Sequence, residues 1–400
     1  MVVALVAHFW EPLAVWRMVS RASELAQASR DAEAVDLLRA ALLVDADNPQ
    51  TVVRLAQAHR RVGQLEPAAN LLSAAKDLGG DEQQIELETT LLSVQMGRTR
   101  GFEKRFAELM VQWPDQAPDI LRTYVLGLFA NLQTDHALQL LKSWESSTPQ
   151  DSRPKFLQAY LYQGINRLDM AAAAYRAGLK LSREATVMRK RLAEVLLEAG
   201  EADEAWSELQ TCREQTPGDI EVQYLIAECA HKRNETQTAL AELEQVLKTD
   251  PNHFQSLRLR GRMRLDSDDP QGALDDLQKA ASVQPDDTVV REALGRALQA
   301  LGRTDEAQSH FDYVASATKQ QDETGRLIRQ VLSEPQNVDL RFEIGVRLLQ
   351  AGDFDDGAKW LRTVLEIDPS HVGAHLTLAD LLEQRGDFRG AAQHRQAVGK

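Results

Sequence analysis

The sequence predicts an all-α solenoid of about eleven helix–turn–helix units of 34 residues, and three series in one register carry that prediction. Alanines recur at 34-residue steps as Ala137, Ala171, Ala205, Ala239, Ala273 and Ala307, with Ala34 and Ala68 earlier and Phe102 in the slot after them. Prolines follow the same beat at Pro217, Pro251 and Pro285, with Pro114 and Pro149 before them and Pro369 beyond. A third series lies between: Gly63, Gly97, Asn166, Gly200, Asn234, Gly302, Gly352 and Gly386. Glycine and asparagine tolerate the left-handed backbone that ends a helix, so their interchange in one slot has a mechanism. Self-similarity at such a period marks stacked repeats.

Each unit reads alike. A first helix opens after the proline, carries apolar residues at i, i+3, i+4 and i+7, and ends at the Gly or Asn. A second helix begins with an acidic-rich turn, such as Glu201–Glu204 or Asp305–Glu306, which suits a helix N-terminus. It then carries a small residue, a large apolar one four later and a small one three after that, as in Ala205, Leu209 and Cys212 or Ala273, Leu277 and Ala280. The small residues let paired helices approach and the large ones fill the next groove. The units begin near residues 15, 49, 83, 118, 152, 186, 220, 254, 288, 338 and 372.

The register breaks once. Ala307 and Gly357 are 50 residues apart, so 16 residues are inserted, about Asp322 to Asn337. Leu327, Ile328, Val331 and Leu332 are helix-spaced, and no proline interrupts Thr304 to Glu334, so the second helix of the ninth unit is expected to be long, with Gly325 as a candidate break. The expected organisation is an apolar segment over 1–14, a nine-unit array over 15–321, an inserted helical segment over 322–337 and a two-unit C-terminal cap over 338–400.

The bulk composition fits a repeat array. At 400 residues the chain exceeds the size at which one globular core stops growing. It is 43% hydrophobic and only 6% aromatic, enough apolar material to fold. The formal net charge of −14 disfavours nucleic acid as a partner, since phosphate contacts need clustered Lys and Arg. Cys212 and Cys229, seventeen residues apart, form no metal-type spacing and no disulfide framework. Residues 1–16, MVVALVAHFWEPLAVW, are largely apolar but are interrupted by His8, Glu11 and Pro12. Three readings stand: a helix docked on the first unit, the remnant of a membrane anchor, or a disordered leader. Phe9, Trp10 and Trp16, followed by Arg17 and Arg21, are similar to the interfacial end of an anchor. Location is therefore open between the cytoplasm and a membrane contact through residues 1–16.

Segments such as Leu365–His375 (LEIDPSHVGAH) and Val246–Ser256 (VLKTDPNHFQS), with the spacings above, resemble the tetratricopeptide repeat family from about Val15 to the C-terminus. The resemblance implies a right-handed superhelix whose concave surface is lined by the first helix of each unit. It also implies a scaffold that binds a protein or peptide and catalyses nothing. More loosely, the chain is similar to bacterial repeat proteins tethered by one N-terminal helix. That likeness implies, as an alternative, an accessory subunit of an envelope or secretion assembly.

Sites for other chemistry are missing from the sequence. It contains no GxxxxGK[ST], GxGxxG, HExxH or GxSxG, and no cofactor, metal or small-molecule substrate is expected. Asp266, Asp268 and Asp269 lack the glycine and acid spacing of a calcium loop and read as an inter-helix turn. His371 and His375, four apart, straddle a helix start. On the faces of the first helices that the resemblance turns inward stand Leu126, Phe129, Phe156, Tyr160, Lys190, Glu194, Tyr224 and Glu228, then Arg258, Arg262 and Arg296. The expected partner-binding set is Phe129, Phe156, Tyr160, Lys190, Tyr224, Arg258, Arg262 and Arg296, apolar-aromatic in the middle and basic further along. Aromatics and arginines are the residue types that anchor interfaces. The lysine–asparagine clamp of chaperone-binding arrays and the asparagine ladder of glycosyltransferase-linked ones are not reproduced.

Overall fold

The structure, a computed structural model, describes residues 2–27, 30–99, 101–182 and 186–399, and the side chains of all of these except 2–13, 27 and 389. Among the described residues there are 22 α-helices and no strand: α1 (Val2–Gln27), α2 (Asp31–Val44), α3 (Pro49–Arg61), α4 (Leu65–Asp77), α5 (Glu82–Gln95), α6 (Phe102–Gln112), α7 (Ala117–Ala130), α8 (Thr134–Ser147), α9 (Arg153–Gly164), α10 (Leu168–Leu181), α11 (Thr186–Ala199), α12 (Ala202–Gln215), α13 (Ile220–Lys232), α14 (Thr236–Thr249), α15 (Phe254–Asp266), α16 (Pro270–Val283), α17 (Thr288–Ala300), α18 (Thr304–Ser333), α19 (Val338–Gln350), α20 (Phe354–Ile367), α21 (Val372–Gln384) and α22 (Phe388–Val398). Odd-numbered helices are the first helices of the units and even-numbered ones the second. The chain is an all-α repeat solenoid.

The punctuation has the expected backbone. All eight residues of the Gly/Asn series have positive φ. So do Leu132 and Asp268, which occupy the same slot in the fourth and eighth units at φ 62° and 60°. A leucine there carries real strain, because its Cβ crowds the neighbouring carbonyl. First helices start on side-chain caps: Asn48 accepts from the Thr51 amide at 3.0 Å, Asp219 from the Glu221 amide at 2.9 Å and Asp287 from the Val290 amide at 2.8 Å. Asp269 caps α16 through the Gly272 amide at 2.9 Å while Asp268 takes the left-handed slot, so the acidic turn serves the helix boundary.

The alanine series forms the seam. Ala34, Ala68, Ala137, Ala171, Ala205, Ala239, Ala273 and Ala307 are all buried on second helices. Each faces the first helix of its unit, and where that helix offers a glycine the approach is closer still. A Cβ on Gly295 would stand 2.6 Å from the Phe311 ring, and one on Gly261 would stand 2.7 Å from Leu277. Both cysteines are fully buried in the same core, and desolvation pushes their thiols up to about 11, which leaves them inert packing residues.

Two compact units divide the chain. Unit 1 comprises 1–137, 335–349 and 353–400, and so draws on both ends of the sequence; unit 2 comprises 138–334 and 350–352. Residues 2–14 of the apolar segment lie within α1, Met1 is outside the described residues, and Phe9 and Trp10 are outside the described side chains. Among the described residues no helix is long and apolar enough to cross a membrane. α18 runs 30 residues from Thr304 to Ser333 and passes through Gly325 without a break.

A candidate partner surface on the first helices

In unit 2, first helices lie side by side: α11 packs on α13, α13 on α15 and α15 on α17. One position of each repeats on this face. Tyr160, Glu194, Glu228, Arg262 and Arg296, each 34 residues from the last, sit at equivalent turns of α9, α11, α13, α15 and α17. Tyr160 is 48% exposed, Arg262 is exposed and Arg296 has 55% of its side chain in solvent. Arg296 is 3.8 Å from Asp266, a long contact between exposed groups. Arg262 has no ion-pair partner among the described residues.

The position one turn earlier behaves differently. Lys190 reaches Asp219 at 3.2 Å, Tyr224 stacks on His253 with ring centroids 5.6 Å apart, and Arg258 reaches Asp287 at 3.2 Å. Each partner is 29 residues on and is the N-cap of the next first helix. In unit 1 Phe342 stacks on His371, the N-cap of α21, at 4.8 Å in the same register. These side chains bind unit to unit. Tyr224 is accordingly only 9% exposed, and burial, with Glu228 beside it, pushes its phenol well up. His371 offers its Nδ1 to the Ala374 amide, while His375 bonds to His394 and to the Pro369 carbonyl. The two histidines therefore do not converge on a common point.

The expected set thus separates by role. Tyr160, Arg262 and Arg296 are exposed at the surface of this face. Phe156 packs edge-on against Tyr175 at 5.8 Å and belongs to the core margin. Lys190, Tyr224 and Arg258 are tied to neighbouring caps, with their outer edges still at the surface for the two cations. Phe129 is half-buried and lies in unit 1.

Unit 1 holds a polar cluster that the sequence did not single out. Arg60 on α3 is 1% exposed. It donates to Glu88 on α5 at 2.9 Å, to Thr123 on α7 at 2.8 Å and to Asp119. Burial alone would lower Arg60, but Asp119 and Glu88 outweigh it and hold it above its ordinary value. Burial would likewise raise Asp119, yet Arg60 and Arg61 keep it well below the usual carboxylate range. Glu88 is left raised by burial. Three consecutive first helices are thereby cross-linked by one guanidinium. Among the described residues no group of three or more His, Cys, Asp or Glu is arranged to hold a metal.

Comparison with known proteins bears on the family. Two tetratricopeptide repeat models match, one over 226–297 and the other over 166–229, 264–331 and 348–398, together more than half of the chain. The TPR repeat-containing protein YpiA of Bacillus subtilis is 26% identical over 224 residues. That match takes in 50% of this chain and 52% of the relative, so the chain spans about half the length of the curated protein it matches. Among solved structures, the human IFIT1 dimer with m7Gppp-AAAA is 13% identical with a TM-score of 0.45, covering 88% of this chain and 89% of that one. PilW, a type IV pilus biogenesis factor, is 16% identical with a TM-score of 0.44, covering 49% and 90%.

Proposed function

Because this chain belongs to the tetratricopeptide repeat family, a family of interaction scaffolds, we propose that it is a non-enzymatic scaffold holding a partner polypeptide segment against the first helices of unit 2. The observation that carries the reading is the 34-residue series Tyr160, Glu194, Glu228, Arg262 and Arg296 on the first helices, of which Tyr160, Arg262 and Arg296 are exposed. Packing demands small and apolar residues at the seams, and the caps demand the row one turn earlier. This series presents an exposed aromatic ring at one end and two exposed guanidiniums at the other, which suits a segment with an apolar anchor followed further along by acids.

The test is a matched pair of full-length proteins, wild type and the double variant Tyr160→Ala, Arg262→Ala, used as bait with quantitative mass spectrometry. An interface anchor truncated to alanine costs about 1–2 kcal/mol or more, so capture of the specific partner should fall by roughly fivefold or greater. Helical circular dichroism and melting temperature should hold, since both side chains are exposed. Undiminished capture by the well-folded double variant would remove the proposal.

A further inference from the structure

Between α1, α2 and α3 of unit 1 lies a cavity of about 30 Å³. Val19, Ala22 and Leu38 give it an apolar floor, and Arg54, Gln57 and Arg61 of α3 border it. Arg54 donates through Nη1 to Ser23 Oγ, and among the described residues no carboxylate stands within ion-pair distance of it. Its Nε is buried and meets no hydrogen-bond acceptor, and the same holds for Nε of Arg61. Buried donors are ordinarily matched, yet here two guanidinium N–H groups border one cavity without an acceptor from the protein.

The charges around the cavity do not balance either. Arg60 and Arg61 pair with Glu88, Asp119 and Asp31, two guanidiniums against three carboxylates. Arg122 joins them by donating to the Arg61 carbonyl at 3.0 Å, which brings the cluster to three of each sign. The charge of Arg54 is the one left over.

We propose that this cavity is a receptor for a carboxylate carried on a short aliphatic stem, with Arg54 as its principal ligand and Arg61 as a second donor. A buried water needs about 10–15 Å³ of such space, so the cavity takes two oxygen-sized atoms and not the four of a tetrahedral oxyanion. A carboxylate also meets the forked donors of a guanidinium and supplies the charge that water in the same place would leave unmatched. The apolar floor receives the first carbons of the stem. The receptor lies wholly in unit 1 and shares no residue with the first-helix series of unit 2, so the failure of either proposal leaves the other standing.

The full-length protein is titrated with sodium propionate, sodium chloride keeping the ionic strength constant, and followed by saturation-transfer NMR of the ligand methyl group and by melting temperature. Binding should be saturable and should raise the melting temperature. Propionamide, of the same shape without the charge, and the Arg54→Gln variant with propionate should each bind about tenfold more weakly or worse, the worth of a hydrogen bond to a charged group. Ala26 also lines the cavity and is half-buried, and Ala26→Leu should fill the space and abolish the response with the helical circular dichroism unchanged. Glutamate blocked at both backbone ends, run in parallel, gives the source: binding at least as tight as propionate indicates an acidic side chain of a polypeptide, weaker binding a free short-chain acid. Propionamide bound as tightly as propionate, no saturable response in the wild type, or a response that Arg54→Gln leaves unchanged overturns the proposal.

Discussion

At the scale of single residues, Arg60 and Asp119 illustrate how a buried pair resists the loss of one member. Asp119→Ala would leave Arg60 enclosed with Glu88 as its sole carboxylate. Breaking a buried pair from one side costs about 3–5 kcal/mol, and urea denaturation should show a loss of that order in unit 1. His394 provides a pH test. Burial, then His375, Arg98 and Arg362, push it down to about 4, with Asp387 opposing. A depressed histidine is neutral in the folded chain while the unfolded chain binds the proton, so stability falls as the pH drops from about 6.5 towards that value. The protection of α21 and α22 amides, taken relative to their intrinsic exchange at each pH, should therefore fall between neutral pH and pH about 5, and His394→Gln should flatten the dependence. Neither group stood out in the sequence. A charged residue on an amphipathic helix reads as solvated unless its partner is known, and the partners of Arg60 lie 28 and 59 residues away. The exposure of Tyr160, Arg262 and Arg296 was legible because they share a period; that Phe156 and Tyr224 turn towards Tyr175 and His253 depends on rotamers, which no spacing encodes.

At the scale of elements, one substitution made in two helices should act with opposite signs. Gly325 lies inside α18, and a Cβ there would meet only Arg329 Nη1 at 3.6 Å. Gly325→Ala should stabilise by about 0.5–1 kcal/mol through helix propensity alone. Gly295 on α17 faces the Phe311 ring, and its added Cβ would fall 2.6 Å from it. Overpacking of about 1–3 kcal/mol exceeds the same propensity gain, so Gly295→Ala should lower the melting temperature while Gly325→Ala raises it. α17 was readable from apolar residues at helical spacing and the length of α18 from the absence of proline over Thr304 to Glu334, but its unbroken course past Gly325 was not, because that glycine was a candidate break. The left-handed turns at Leu132 and Asp268 were not readable either. Repeat packing imposes that conformation on whatever residue occupies the slot, and a leucine advertises nothing of it.

At the scale of the whole molecule, stability belongs to neighbours rather than to one core. Ala205 on α12 is fully buried, and Ala205→Phe should cost about 1–3 kcal/mol there. Faster hydrogen exchange should spread through α9 to α14 of unit 2 and leave α19 to α22, which belong to unit 1, unchanged; a uniform rise would contradict nearest-neighbour coupling. The row of side chains tied to the next N-cap has a consequence for ancestry and engineering. Charge meets charge at Lys190–Asp219 and Arg258–Asp287, and ring meets ring at Tyr224–His253 and Phe342–His371. A copy cut at the loops would carry half of one match and half of another. The heritable module is thus bounded in the first turn of a first helix, between the N-cap and the tied side chain, and repeats should be grafted, deleted or duplicated between those points if their junctions are to agree.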